Sequence, residues 1–228
     1  MFEIQGAHNT AKIFTDNVEE KALAQIQNLL DQEFAAGSQI RIMPDVHAGA
    51  GCTIGTTMTI TDKVVPNLVG VDIGCGMETA ILKNCDIDLQ KLDEVIHEKI
   101  PSGLNVRKKA HSLVDNVDIE KLKCKDFVNL DRAYLSVGTL GGGNHFIEID
   151  KDDDGALYLV IHSGSRNLGK QVAEYYQNRA FAGLNDNSRE VKKVIEELKR
   201  QGRETEIESE IKKLKGDIVD KSLAYLGG

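Results

Sequence analysis

Apolar side chains recur at three- and four-residue steps through Ala22, Leu23, Ile26, Leu29, Leu30 and Phe34, which predicts a helix with one face for a sheet. Asn17 is the expected N-cap and Gly37 the stop. Either side of this helix the pattern shortens to that of strands. EIQG and AKIF read as extended, QIRIMP as a strand ended by Pro44, and TTMTI, NLVGV and METAIL as further strands. A charged helix is predicted from Leu89 to Ile100, closed by Pro101 and Gly103. Helical spacing returns in RKKAHSL and in DIEKLKCKDFVNLDRAYL. HFIEID and ALYLVIHSG alternate around the turn KDDDG, which predicts a hairpin. QVAEYYQNRAFAG then reads as a helix. From Arg189 to Lys221, ten basic and nine acidic residues surround the apolar face Val191, Val194, Ile195, Leu198, Ile207, Ile211 and Leu214. The expectation there is a charged helical hairpin over 189–222 divided at Gly202, its near-cancelling charge arguing against an RNA-binding basic helix. Strands mixed with outer helices give a mixed α/β (α+β) class.

Composition narrows the picture. With 41% apolar residues in 228, the chain can bury a core, and disorder is not expected. A formal charge of -8, no Trp and 5% aromatic content argue against a broad basic surface or a base-stacking platform, so a nucleic-acid partner would need a local positive site. No run approaches 18 apolar residues and the start lacks a signal-peptide pattern, so the expected location is cytoplasmic, with no membrane partner. Cys52, Cys75, Cys85 and Cys124 contain no C-x-x-C pair, which excludes a zinc ribbon; Cys52, Cys85 and Cys124 are expected to be reduced and mostly buried thiols.

Candidate chemistry gathers where glycine is dense, in DVHAGAGCTIG, VDIGCGM, GTLGGGNHFIEI and VIHSGSR. Glycine lets backbone approach a ligand closely. Asp72 and Cys75 pair a hard carboxylate with a soft thiolate three residues apart, while His145 and His162 fall on neighbouring predicted strands where their rings could converge. This pattern fits a metal site, but also a buried thiol beside a turn, or a Cys75 nucleophile with a histidine base. Asp45 and His47 could extend the site, or Asp45 could cap a turn. Ser163, Ser165 and Arg166 could bind phosphate, and Arg166 could equally pin a turn. His8, His97 and His111 read as surface or packing residues. Neither glycine cluster has the spacing of a P-loop or a dinucleotide fingerprint.

MPDVHAGAGCTIGTT, VPNLVGVDIGCGM, IPSG, SVGTLGGGNHFIEI and IHSGSRNLG, in that order between residues 43 and 169, resemble the RtcB family of RNA ligases. The resemblance implies a β-rich core around a metal site with helices packed outside, and the N-terminal portion of a catalytic domain over 1–228. It further implies joining of a 3′-phosphate or 2′,3′-cyclic phosphate end to a 5′-hydroxyl end, with RNA ends, including tRNA halves, as partners. GTP and Mn²⁺ are the implied cofactors, two ions in the intact protein. Asp72, Cys75, His145 and His162 correspond to metal ligands, Cys75 also as a bridging catalytic group. Asn144, Phe146 and Glu148 correspond to the guanine-nucleotide pocket, Asp45 to an acidic catalytic residue, and Arg166 to a phosphate- or RNA-facing cation. Family members continue past the YLGG region with a second half carrying another metal-binding histidine and the histidine that accepts GMP. None of the six histidines here lies beyond His162, so completion by a C-terminal half or a separate chain is expected. Two other readings stay open: a noncatalytic metal- or RNA-end-binding module, and a metal-dependent phosphatase or nuclease.

Overall fold

The computed structural model describes every residue except 61, 84–85, 187, 215–219 and 228. Two units emerge, one formed by residues 1–71 and 176–228, the other by residues 72–175.

In the first unit, β1 (Phe2–Gln5) and β2 (Thr10–Ile13) pair antiparallel, as the extended reading of EIQG and AKIF predicts. Helix α1 (Glu20–Leu30) then crosses over to β3 (Ile40–His47), which lies parallel to β2, and β4 (Ile54–Met58) closes the sheet antiparallel to β3. A parallel pair needs such a crossover, and the apolar stripe of α1 supplies its packing face. Ile26, Leu29 and Leu30 are buried against Ala11, Ile13, Ile40 and Ile42, with Leu223 completing the cluster. Ile42 is fully buried in this cluster. Ile42→Val, which removes one methylene there, should cost about 0.5–1.5 kcal/mol, read as a lower urea midpoint at unchanged slope.

Helix α1 stops at Leu30 rather than at Gly37, and Phe34 falls in a separate 3-10 turn, Glu33–Ala35. The cap of α1 is Glu19 rather than Asn17, and the Glu19 carboxylate instead accepts from Ala48 N at 2.6 Å. Strand β3 runs through Pro44, because the register shifts between Ile42 and His47 and a proline without an N–H is tolerated at such an irregularity. NLVGV is not a strand: after β5 (Lys63–Val64), Pro66–Val69 form a short helix α2, since Pro66 at its first position presets the helical angle.

The second unit opens with β6 (Gly76–Leu82) and the helix α3 (Leu89–Lys99), capped by Asp88, whose carboxylate accepts from Lys91 N at 3.0 Å. RKKAHSL is not a regular helix; only its last two residues enter a 3-10 turn, Ser112–Asn116. DIEKLKCKDFVNLDRAYL is helical only in part, with 3-10 turns before α4 (Leu130–Ser136), which Asn129 caps. The predicted hairpin is present as β7 (Phe146–Lys151) and β8 (Leu157–Ser163), joined where the Asp152 carboxylate accepts from Asp154 N and Ala156 N. β8 is the middle strand of a sheet ordered β6-β8-β7.

Helix α5 (Leu168–Leu184) follows β8 and is longer than QVAEYYQNRAFAG suggests. Helices α6 (Ser188–Arg200) and α7 (Ile207–Leu214) occupy the charged stretch, with Gly202 between them at φ +68°. Part of the 189–222 segment lies outside the described residues. β9 (Leu226–Gly227) pairs antiparallel with β5. Gln177 is a buried polar residue that accepts from Asn67 N at 2.9 Å and donates to Ala224 O at 3.1 Å. Among the described residues, no helix is long and apolar enough to cross a membrane. The architecture is mixed α/β.

Candidate metal and nucleotide site

The second unit gathers three of the glycine-rich segments, DIGCGM, GTLGGGNHFIEI and VIHSGSR, at one end of its sheet. His162 lies on β8 opposite Met77 of β6 and Phe146 of β7. His145 immediately precedes β7, and its ring meets that of His162 edge-on, with centroids 5.3 Å apart. Cys75, just before β6, places Sγ 3.9 Å from His145 Nε2. A thiolate and an imidazole on one tetrahedral zinc ion stand about 3.5 Å apart, given metal–sulfur near 2.3 Å and metal–nitrogen near 2.0 Å. The observed pair is a little wider than that, close enough for both to reach one first-row ion. The carbonyl of Gly76 lies 3.2 Å from His162 Nδ1. A carbonyl only accepts, so Nδ1 is the donor in that bond, and Nε2 is the nitrogen left to face a ligand.

Steric walls on two sides hold His145. A Cβ on Gly164 would lie 2.0 Å from its Cε1, and one on Gly141 would lie 2.2 Å from its Nδ1. That Nδ1 is buried without a hydrogen-bond partner. Such an orphan costs about 1–3 kcal/mol and calls for a reason, here the fixed aim of Nε2 toward Cys75. Burial, then the charges of His162 and Arg166, push the His145 pKa below the usual histidine value, with Asp72 opposing. Burial and the two neighbouring charges favour the neutral ring that a metal requires.

Asp72 turns its carboxylate to the Ser165 hydroxyl, which donates to Oδ1. The four expected ligands Asp72, Cys75, His145 and His162 thus share one unit, yet among the described residues no three His, Cys, Asp or Glu side chains stand close enough to hold a metal by themselves. The fit extends to the Cys75–His145 pair. Arg166 donates through Nε to Thr139 Oγ1 at 2.8 Å and through Nη2 to Gly103 O at 2.7 Å. Burial and the neighbouring Arg132 charge lower its pKa, opposed by Asp72. Of the residues expected at a guanine nucleotide, Asn144 and Glu148 are exposed, and Phe146 is half-buried with its ring 5.6 Å from that of His162.

Asp45 and His47 belong to the first unit. There His47 Nδ1 lies 2.8 Å from Asp45 O, and Gly55, at φ +82°, leaves room for Asp45, since a Cβ would lie 2.9 Å from its Oδ1. Sequence reasoning missed the cradle of Gly141 and Gly164 and the role of Thr139. Only the density of glycine around each histidine hinted at the cradle.

Cys124 is buried and Cys52 half-buried, whereas Cys75 is exposed; Cys85 lies outside the described residues. Burial pushes the Cys52 thiol up to about 11. At pH 8 about one Cys52 in a thousand is then thiolate. Iodoacetamide should accordingly label Cys75 at least about 10-fold faster than Cys52 or Cys124 in the native chain, read by peptide mass spectrometry. Comparable rates would contradict this packing.

A family model described as tRNA-splicing ligase RtcB matches residues 25–225. RNA-splicing ligase RtcB of Escherichia coli (strain K12) is 34% identical over 180 residues, covering 70% of this chain and 44% of that protein. tRNA-splicing ligase RtcB of Methanococcus maripaludis is 28% identical over 222 residues, covering 72% of this chain and 45% of that protein. The match thus spans less than half the length of these relatives. With a family match over most of its length, the chain belongs to the RtcB family of RNA ligases.

Proposed function

We propose that the chain is the leading portion of an RNA ligase that joins 3′-phosphate or 2′,3′-cyclic phosphate ends to 5′-hydroxyl ends, using GTP and Mn²⁺. The observation supporting this most directly is the approach of Cys75 to His145 beside His162, a soft and imidazole donor set at the end of a sheet. A bound divalent ion would supply Lewis-acid polarisation and charge neutralisation at phosphoryl oxygens. Cys75 and His145 would hold it, with His162 and Asp72 contributing. Asn144, Phe146 and Glu148 serve the guanine nucleotide, Arg166 a phosphate of nucleotide or RNA, and Asp45 the acidic role that the family pattern gives it. The remaining ligands and the guanylylated histidine come from the further length that the relatives possess, or from a completing chain.

A second reading, a noncatalytic metal- or RNA-end-binding module, keeps the Cys75–His145 donor pair and needs no guanylylated residue. Anaerobic incubation with Mn²⁺ and GTP, followed by native and denaturing intact mass measurement, tests both. The expected result is bound Mn²⁺ and no guanylyl adduct on this chain. Supplying the C-terminal portion of the Escherichia coli relative as a separate polypeptide should then yield an adduct on that polypeptide and joined RNA. A folded chain that takes up no Mn²⁺ overturns the metal reading. Guanylylation of the 228-residue chain itself overturns the proposed division of the site. Metal uptake with no adduct or joining in the mixture favours the module.

A further inference from the structure

Arg166 and Asn167 adopt left-handed backbone at φ +55° and +76°, which side-chain-bearing residues rarely do. Two in succession persist only where the surroundings hold them, and such strain concentrates at functional turns. The anchors are visible. Arg166 donates to Thr139 Oγ1, Gly103 O and, at 3.3 Å, Asn105 O. Leu168 N donates to Ser165 O at 3.1 Å as α5 begins. At the second residue of that helix, a Cβ on Gly169 would lie 1.6 Å from Ile73 O, so glycine alone lets the helix lie on the Asp72–Cys75 loop. The product of this arrangement is the aim of one hydroxyl: Ser165 Oγ donates to Asp72 Oδ1 across 93 residues of sequence.

We propose that Ser165 is a positioning residue that holds the Asp72 carboxylate, and with it the Asp72–Cys75 loop, in the orientation a divalent cation uses. This rests on the metal reading above. A hydroxyl donated to one carboxylate oxygen fixes the plane of the group, as outer partners of metal ligands do. The turn is the device that delivers the hydroxyl. Arg166 braces it with Nε and Nη2, a use of these donors inside the protein that precedes any contact with phosphate.

The test is Mn²⁺ titration of the 228-residue chain, followed by electron paramagnetic resonance under anaerobic conditions without nucleotide or RNA. It is paired with amide hydrogen exchange over residues 72–76. Ser165→Ala should bind Mn²⁺ roughly 10–100-fold more weakly, the usual loss for an outer partner. Its 72–76 amides should exchange faster at an unchanged thermal midpoint, and Ser165→Thr, which keeps the hydroxyl, should restore both. A serine that contacts phosphate alone would leave Mn²⁺ binding intact. Wild-type affinity in Ser165→Ala overturns the inference. If the unsubstituted chain binds no Mn²⁺, the metal reading has failed, and the exchange measurement still decides whether Ser165 holds the loop: unchanged exchange overturns it, and faster exchange that threonine reverses supports it.

Discussion

Cys75→Ala should weaken Mn²⁺ binding by more than about 100-fold while leaving the thermal midpoint within a degree or so. The two halves of that expectation have separate causes. Cys75 is exposed, so truncating it removes little packing. Yet its sulfur, 3.9 Å from His145 Nε2, makes a close donor pair at this end of the sheet. Loss of a ligand should exceed the roughly 10–100-fold that loss of an outer partner costs. Thiolate also adds charge that a second imidazole cannot. Electron paramagnetic resonance titration of both proteins decides the matter, and equal affinity would remove Cys75 from the ligand set.

Gly164→Ala should fail differently, losing both metal binding and stability. The new methyl would stand 2.0 Å from Cε1, 2.4 Å from Nε2 and 2.9 Å from Nδ1 of His145. Retreat is blocked on the Gly141 side, where that glycine approaches Nδ1 closely enough that its own Cβ would clash. Overpacking of this kind costs about 1–3 kcal/mol. It should also turn Nε2 away from Cys75, so Mn²⁺ affinity should drop with the urea midpoint. Gly183→Ala, near the end of α5 where a Cβ meets nothing within 4 Å, is the control and should be neutral or slightly stabilising. A Gly164→Ala protein with native stability and Mn²⁺ affinity would mean that the cradle does not hold the ring.

The hairpin of β7 and β8 was legible because alternation and the KDDDG turn are local signals, and local signals survive folding when nothing opposes them. The α1 face was legible for the same reason: its periodicity records which side chains meet the sheet. NLVGV shows the opposite case. Its β-branched residues suggested a strand, yet the angle fixed by Pro66 began a helix, and Gly70 ended it. Pro44 misled in the other direction, since a shift of register accommodated it inside β3.

By itself the sequence determined the family, the mixed α/β class and the residue types at the site, because ordered motifs and periodicity are properties of consecutive residues. Tertiary structure decided which of those residues meet. Cys75 and His145 are 70 residues apart and Ser165 and Asp72 are 93 apart, separations at which no local pattern specifies a contact. It also decided how His145 is held, because a ring caged by two glycines depends on backbone segments that approach only after the strands have paired. Arg166 was likewise read as a phosphate ligand or a turn pin, and only the folded chain shows two of its nitrogens spent on Thr139 and the 103–105 loop. Chemical identity is written residue by residue, whereas geometry emerges from long-range pairing that lowers the free energy of the whole chain.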